Sequence, residues 1–129
     1  MDRRYKGRIG EQKVILRALE KGWQVNVPVV AGRYDLILDD GKRLYKVQVK
    51  YTDTPTTWAV GSVVVGLMRR GRSYAVDEVD LLLVYIPKLD RVLAFQPSDF
   101  CGKSAITVRL EPAKNNQSSG VKLAKDYFW

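Results

Sequence analysis

Arg33-Tyr34-Asp35-Leu36-Ile37-Leu38 and Leu44-Tyr45-Lys46-Val47-Gln48-Val49-Lys50 are two alternating runs on either side of Asp39-Asp40-Gly41-Lys42. An Asp-Gly pair between alternating runs predicts a β-hairpin, because a tight turn needs residues that tolerate left-handed backbone. With Asp40-Gly41 as the loop, position 38 pairs with 43, 36 with 45 and 35 with 46. Side chains alternate between faces, so Leu36, Leu38, Tyr45, Val47 and Val49 make one apolar face. The other face carries Asp35, Lys46, Gln48 and Lys50, with Ile37 and Leu44 nearer the turn. On it Asp35 and Gln48 are diagonal neighbours, near enough to share one small ion, and Lys50 points the same way.

Upstream, residues 8–21 read as a helix, with Gly22 where a C-terminal glycine belongs. Its expected apolar stripe is Val14, Ile15, Ala18 and Leu19, and helical spacing carries Glu11 onto the same stripe. A buried, unpaired carboxylate is costly, so Glu11 is either a functional group or a first-turn acid favoured by the helix dipole. Residues 23–30 read as a strand with Trp23, Val25 and Val27 on one side. Downstream, 52–57 is a loop, 58–67 a strand and 68–73 a basic loop containing Gly71. Residues 79–86 are almost continuously apolar, as in a strand buried on both faces, and pair with 91–95 around Pro87-Lys88-Leu89-Asp90. Residues 106–110 make a last short strand, and the basic tail ends in Tyr127-Phe128-Trp129, aromatics that something should cover. This order implies an α/β or α+β domain with a mixed sheet.

The 129 residues, 46% hydrophobic and 28% charged, suit one globular domain, residues 1–129. No apolar run approaches the roughly 18 residues of a membrane span, and the charged N-terminus has no apolar segment behind it to make a secretory signal. The lone Cys101 cannot form an internal disulfide, which fits a reducing intracellular compartment, cytoplasm or nucleoid. With no histidine, Ser-His-Asp and Cys-His catalysis and His-ligated zinc are excluded. The net charge of +8 points to a polyanion, with nucleic acid the commonest. A basic surface also serves plain solubility, but these residues come in groups. Arg3, Arg4, Lys6 and Arg8 form one, Arg69, Arg70 and Arg72 another, and Lys114, Lys122 and Lys125 a third. Grouping suits a surface that follows phosphates.

Glu11, Asp35, Gln48 and Lys50 are the residues able to carry chemistry. The spacing D-x12-Q-x-K, with a glutamate on the preceding helix, resembles the PD-(D/E)XK nuclease superfamily. The likeness is to its small single-domain branch, which includes Holliday-junction resolvases and cyanobacterial-type group I intron homing endonucleases. It rests on residues 7–11, 33–35 and 48–50 and, more weakly, 110–117. Tyr34 stands where the family has proline, and Gln48 where it usually has an acid, leaving only Glu11 and Asp35 as carboxylates.

The resemblance implies a mixed central β-sheet flanked by helices, with a restriction-endonuclease-like core. It also implies a Mg²⁺-dependent DNA endonuclease, homing-endonuclease-like or resolvase-like, with Mn²⁺ as an expected substitute and no nucleotide or organic cofactor. Mg²⁺ prefers oxygen ligands, here Asp35, the Gln48 side-chain oxygen, the Val49 carbonyl and Glu11, directly or through water. Lys50 would orient the water, stabilise charge or assist proton transfer. Arg8, Arg33, Arg69, Arg70, Arg72, Lys114 and Asn116 are the expected DNA contacts, with Arg33 equally suited to pairing with an acid. Cutting two antiparallel strands favours a homodimer or tetramer. The rivals are a non-catalytic DNA-binding module of the same fold and a basic RNA-associated structural protein.

Overall fold

The computed structural model describes residues 1–56, 61–111 and 122–129. A long helix α1 (Arg3–Glu20) leads into β1 (Gln24–Asn26), β2 (Leu36–Asp39) and β3 (Leu44–Tyr51). Then follow β4 (Ser62–Gly66), β5 (Leu81–Ile86), β6 (Arg91–Phe95), the short α2 (Pro97–Phe100), β7 (Ala105–Arg109) and β8 (Lys122–Leu123). The central sheet has the order β1-β2-β3-β5-β6, antiparallel except for the parallel β3/β5 pair. This is the expected mixed sheet. A second sheet, β4-β7-β8, packs with α2 on its other face.

The fully buried β5 is explained by that sandwich. Leu81, Leu83 and Tyr85 join Val14 and Ala18 of α1 in one cluster, with Leu36, Leu38, Val47 and Val49. Leu82, Val84 and Ile86 point the other way, into a cluster with Val63, Val65, Ile106, Val108 and Phe100. The strand is apolar throughout because both its neighbours are apolar.

The helix begins five residues earlier than expected, because Asp2 caps it by accepting from Arg4 N at 2.8 Å. At its other end Gly22 is left-handed (φ 78) and donates to Leu19 O, while Trp23 N donates to Ala18 O, the paired bonds of a glycine-terminated helix. The buried stripe differs from the expected one. Gly10, Val14 and Ala18 face the sheet, Ile15 is half-buried, and Leu19 is 59% exposed. Small residues let α1 lie close to β3, which rotates the larger ones outward.

The expected strand over 23–30 shortens to β1, since Pro28 cannot donate to a ladder and Val27, Val29 and Val30 are exposed. The hairpin also shifts. Leu36 pairs with Val47 and Leu38 with Tyr45, so the connection holds four residues where two were expected. Asp40 is the reason. Its carboxylate accepts from Lys42 N at 2.7 Å and Arg43 N at 2.9 Å, which widens the turn. A slip of two residues leaves every side chain on its expected face. The terminal aromatics are mostly covered: Tyr127 lies 4.6 Å from Phe95 and Trp129 packs edge-on against Trp23, whereas Phe128 is 41% exposed. No helix among the described residues is long and apolar enough to cross a membrane.

Candidate functional site

Asp35 sits one residue before β2, whose pairing with β3 begins at Leu36 and Val47. Its backbone N–H donates to Val47 O at 2.8 Å. Its carboxylate accepts from Val49 N at 2.9 Å, so backbone on both sides fixes the group over β3. Gln48 is 6% exposed; its Nε2 donates to Val49 O at 3.2 Å, while its Oε1 is buried without a partner. A buried acceptor without a partner, one residue from the backbone N–H that holds a carboxylate, is an arrangement a cation completes. The donor set of Asp35 carboxylate, Gln48 Oε1 and Val49 carbonyl is all oxygen, which fits a hard ion such as Mg²⁺.

Lys50 is half-buried on the same face, its Nζ 5.7 Å from the centre of the Tyr74 ring. Burial holds its ammonium below the ordinary lysine range; Asp35 opposes that shift, while Arg69 and Arg33 add to it. Lys46, the other cation on this face, is drawn off to the carbonyl of Asp77. Glu11 stands apart. It lies on α1, across the sheet, and its carboxylate pairs with the exposed Arg8 at 3.0 Å. Gly10 brings that part of α1 to the end of β3, but no bond among the described residues links Glu11 to Asp35, Gln48 or Lys50. No group of three acidic, cysteine or histidine ligands gathers among the described residues either.

The basic loop is a tight turn. Arg69 and Arg72 exchange backbone hydrogen bonds at 3.0 and 3.2 Å around Arg70 (φ 53) and Gly71 (φ 78). Arg33 braces it, donating to Glu78 Oε2 at 2.9 Å, Arg69 O at 3.1 Å and Ser73 O at 2.8 Å. Arg72 takes both oxygens of the same Glu78, and Arg69 donates to Gly32 O. The result is a hollow of about 340 Å³ lined by Ala31, Gly32, Arg33, Arg69, Arg70 and Arg72. Arg33 therefore acts here as a strut. Lys114 and Asn116 lie outside the described residues.

Two residues of this region carry no signal in the sequence. Glu78 holds Arg33 and Arg72 together, and Tyr74 stands between Arg33, 4.4 Å from its ring centre, and Lys50. Both come from the irregular segment before β5, where periodicity says nothing about direction.

A family model described as PD-(D/E)XK endonuclease matches residues 1–129. Among solved structures, that of a bacterial homing endonuclease, I-Ssp6803I, is similar with a TM-score of 0.80 at 26% identity, covering 99% of this chain and 89% of that one. No curated protein matches the chain.

Proposed function

The chain belongs to the PD-(D/E)XK endonuclease family, and from that premise we propose that it is a Mg²⁺-dependent DNA endonuclease of the homing type. Nuclease activity in general and the use of a divalent metal come with the family. The homing type is supported by the neighbour, which is described as a homing endonuclease. The observation that carries the site is the orphaned Gln48 Oε1 next in sequence to Val49, whose N–H holds the Asp35 carboxylate, with Lys50 two residues on along the same strand.

Asp35, Gln48 Oε1 and the Val49 carbonyl would hold the ion, which when bound supplies Lewis acidity and an acidified water. Asp35 stays fixed through its bond to Val49 N, so its free carboxylate oxygen has one orientation to offer. Lys50, with its ammonium held below the ordinary range, is suited to passing a proton to or from that water and to offsetting charge on the phosphate. Glu11 would take part only by releasing Arg8 and acting through water. The arginine turn would hold flanking phosphates, with the exposed Arg70 at its tip. Two strands require two such sites, hence a homodimer or tetramer.

The test is incubation of the full chain with duplex, four-way-junction and single-stranded DNA, with Mg²⁺, with Mn²⁺ and with chelator. Metal-dependent duplex cleavage is expected, with Mn²⁺ substituting. Cleavage confined to junctions would replace the homing type by a resolvase, and metal-independent or absent cleavage on all three would overturn the nuclease assignment.

A further inference from the structure

Val27, Val29 and Val30 are 68%, 102% and 78% exposed, among the barest apolar side chains of the molecule, and they fall within one short stretch. From Val27 to Gly32 no side chain carries a polar atom. Single exposed apolar residues need no explanation, but a run gathered in one loop marks an interaction site. The loop is held in place. Asn26 Nδ2 donates to Ile37 O at 3.4 Å before it, and Arg69 donates to Gly32 O at its end. Pro28 fixes a backbone angle within it. Its last residues, Ala31 and Gly32, line the same hollow as Arg33, Arg69, Arg70 and Arg72. Four arginines thus stand beside the apolar loop, with Glu78 paired to two of them.

We propose that the loop 27–32 reads bases for the nuclease, with Val29 and Val30 against thymine methyl groups in the major groove while the arginine turn holds flanking phosphates. The duplex itself rests on the nuclease reading. Charge selects the occupant. A second copy seated here by two-fold symmetry would set four arginines against the same four. A duplex instead brings phosphates to the arginines and, between the phosphate rims, base edges to the valines. Valine neither donates nor accepts a hydrogen bond, so it reads apolar contact alone. The apolar group on a base edge is the thymine 5-methyl, and it lies in the major groove. Reach agrees with this placement. Val30 is five residues before Asp35, a stretch that extended chain spans in at most about 18 Å. That is about half of a DNA turn of roughly 34 Å, so the bases read lie within about five base pairs of a phosphate at Asp35. Because the loop is anchored in advance, binding through it orders little.

The test selects duplexes bound by the full chain from a random-sequence duplex pool, in chelator, for the wild type and for the double variant Val29→Ser, Val30→Ser. The wild-type pool should become enriched in thymine at fixed positions, and the variant's pool should lose that enrichment. Replacing those thymines by deoxyuridine, which lacks only the methyl, should weaken wild-type binding about fourfold per methyl contacted and leave the variant's affinity unchanged. The slope of log affinity against log salt should be the same in both chains, since no charge is removed, whereas Arg70→Ala should flatten it. The variant should melt with the wild type, because the substituted side chains are bare. A thymine preference that survives in the variant, or deoxyuridine bound as well as thymine by the wild type, overturns the proposal. So does a lower melting temperature, which makes the valines structural, or a smaller assembly in size-exclusion chromatography, which makes them a contact between copies. A chain that shows the preference but never cuts refutes the nuclease reading alone. A chain that cuts duplex with no preference carried by the valines, or that binds no duplex, refutes this inference.

Discussion

Lys46 and Lys50 sit on the same face of the same strand, four residues apart, yet their surroundings differ. At the turn end of β3, the Lys46 backbone bonds to Asp80 in both directions and its ammonium reaches out to the Asp77 carbonyl. At the far end, Lys50 lies under the second layer, against Tyr74 and beside Asp35. One lysine ties a loop to the turn end of a central strand; the other is a partly desolvated ammonium acted on by the Asp35 carboxylate. Cover therefore matters as much as register in deciding which cation of a pattern is chemically available.

The sharpest break of this comparison begins with its acid. Asp35→Ala should abolish cleavage while the chain still folds and still binds duplex in chelator; it loses one bond, to Val49 N, so the melting temperature should drop by only a few degrees. An unfolded variant in circular dichroism would make Asp35 structural. Next, Lys50→Ala should lose at least about 10²-fold in single-turnover cleavage, while Lys46→Ala stays close to wild type. Equal losses would erase the distinction between the two ends.

Gln48 gives a graded effect. Gln48→Glu places an anion beside Asp35 and should lower the Mg²⁺ concentration needed for half-maximal rate, whereas Gln48→Ala should raise it. The smallest effect is on stability. The Lys50 ammonium titrates in the fold below its unfolded value of 10.5, so the unfolded chain binds more protons and this group costs stability at neutral pH. The cost shrinks as pH rises from the folded value toward 10.5. Lys50→Met should accordingly melt higher than wild type at pH 7, by a margin that narrows in alkaline buffer. A margin constant with pH would mean that packing, not charge, is responsible.

The hairpin was legible because alternation and Asp-Gly are local signals, and its faces survived a wrong loop length because the slip was an even number of residues. The side chain of Asp40, which lengthened the loop, competes for backbone N–H groups in a way alternation does not register. Glu11 was harder to place, since helical spacing ranks stripes by hydrophobicity and so favoured Leu19 beside Val14 and Ala18, whereas close packing chose Gly10. Arg33 left both pairing and phosphate contact open, and its partner Glu78 lies 45 residues away. Tyr74 and the brace around the arginine turn are tertiary products of that same segment, with no period to reveal them.

Gly10 has a mechanical consequence. A Cβ placed there would come 3.3 Å from Tyr51 Cβ and 3.7 Å from Lys50 O, while one at Gly7 would meet nothing within 4 Å. The missing methyl sets the clearance between the long helix and the strand end that carries Lys50. A spacer inserted at this point would lever on the backbone beneath Val49 and Lys50 from the sealed side of the sheet, without touching the polar side at all. The alignment of the site is thus a fitted tolerance, adjusted from behind by a residue that takes no part in it.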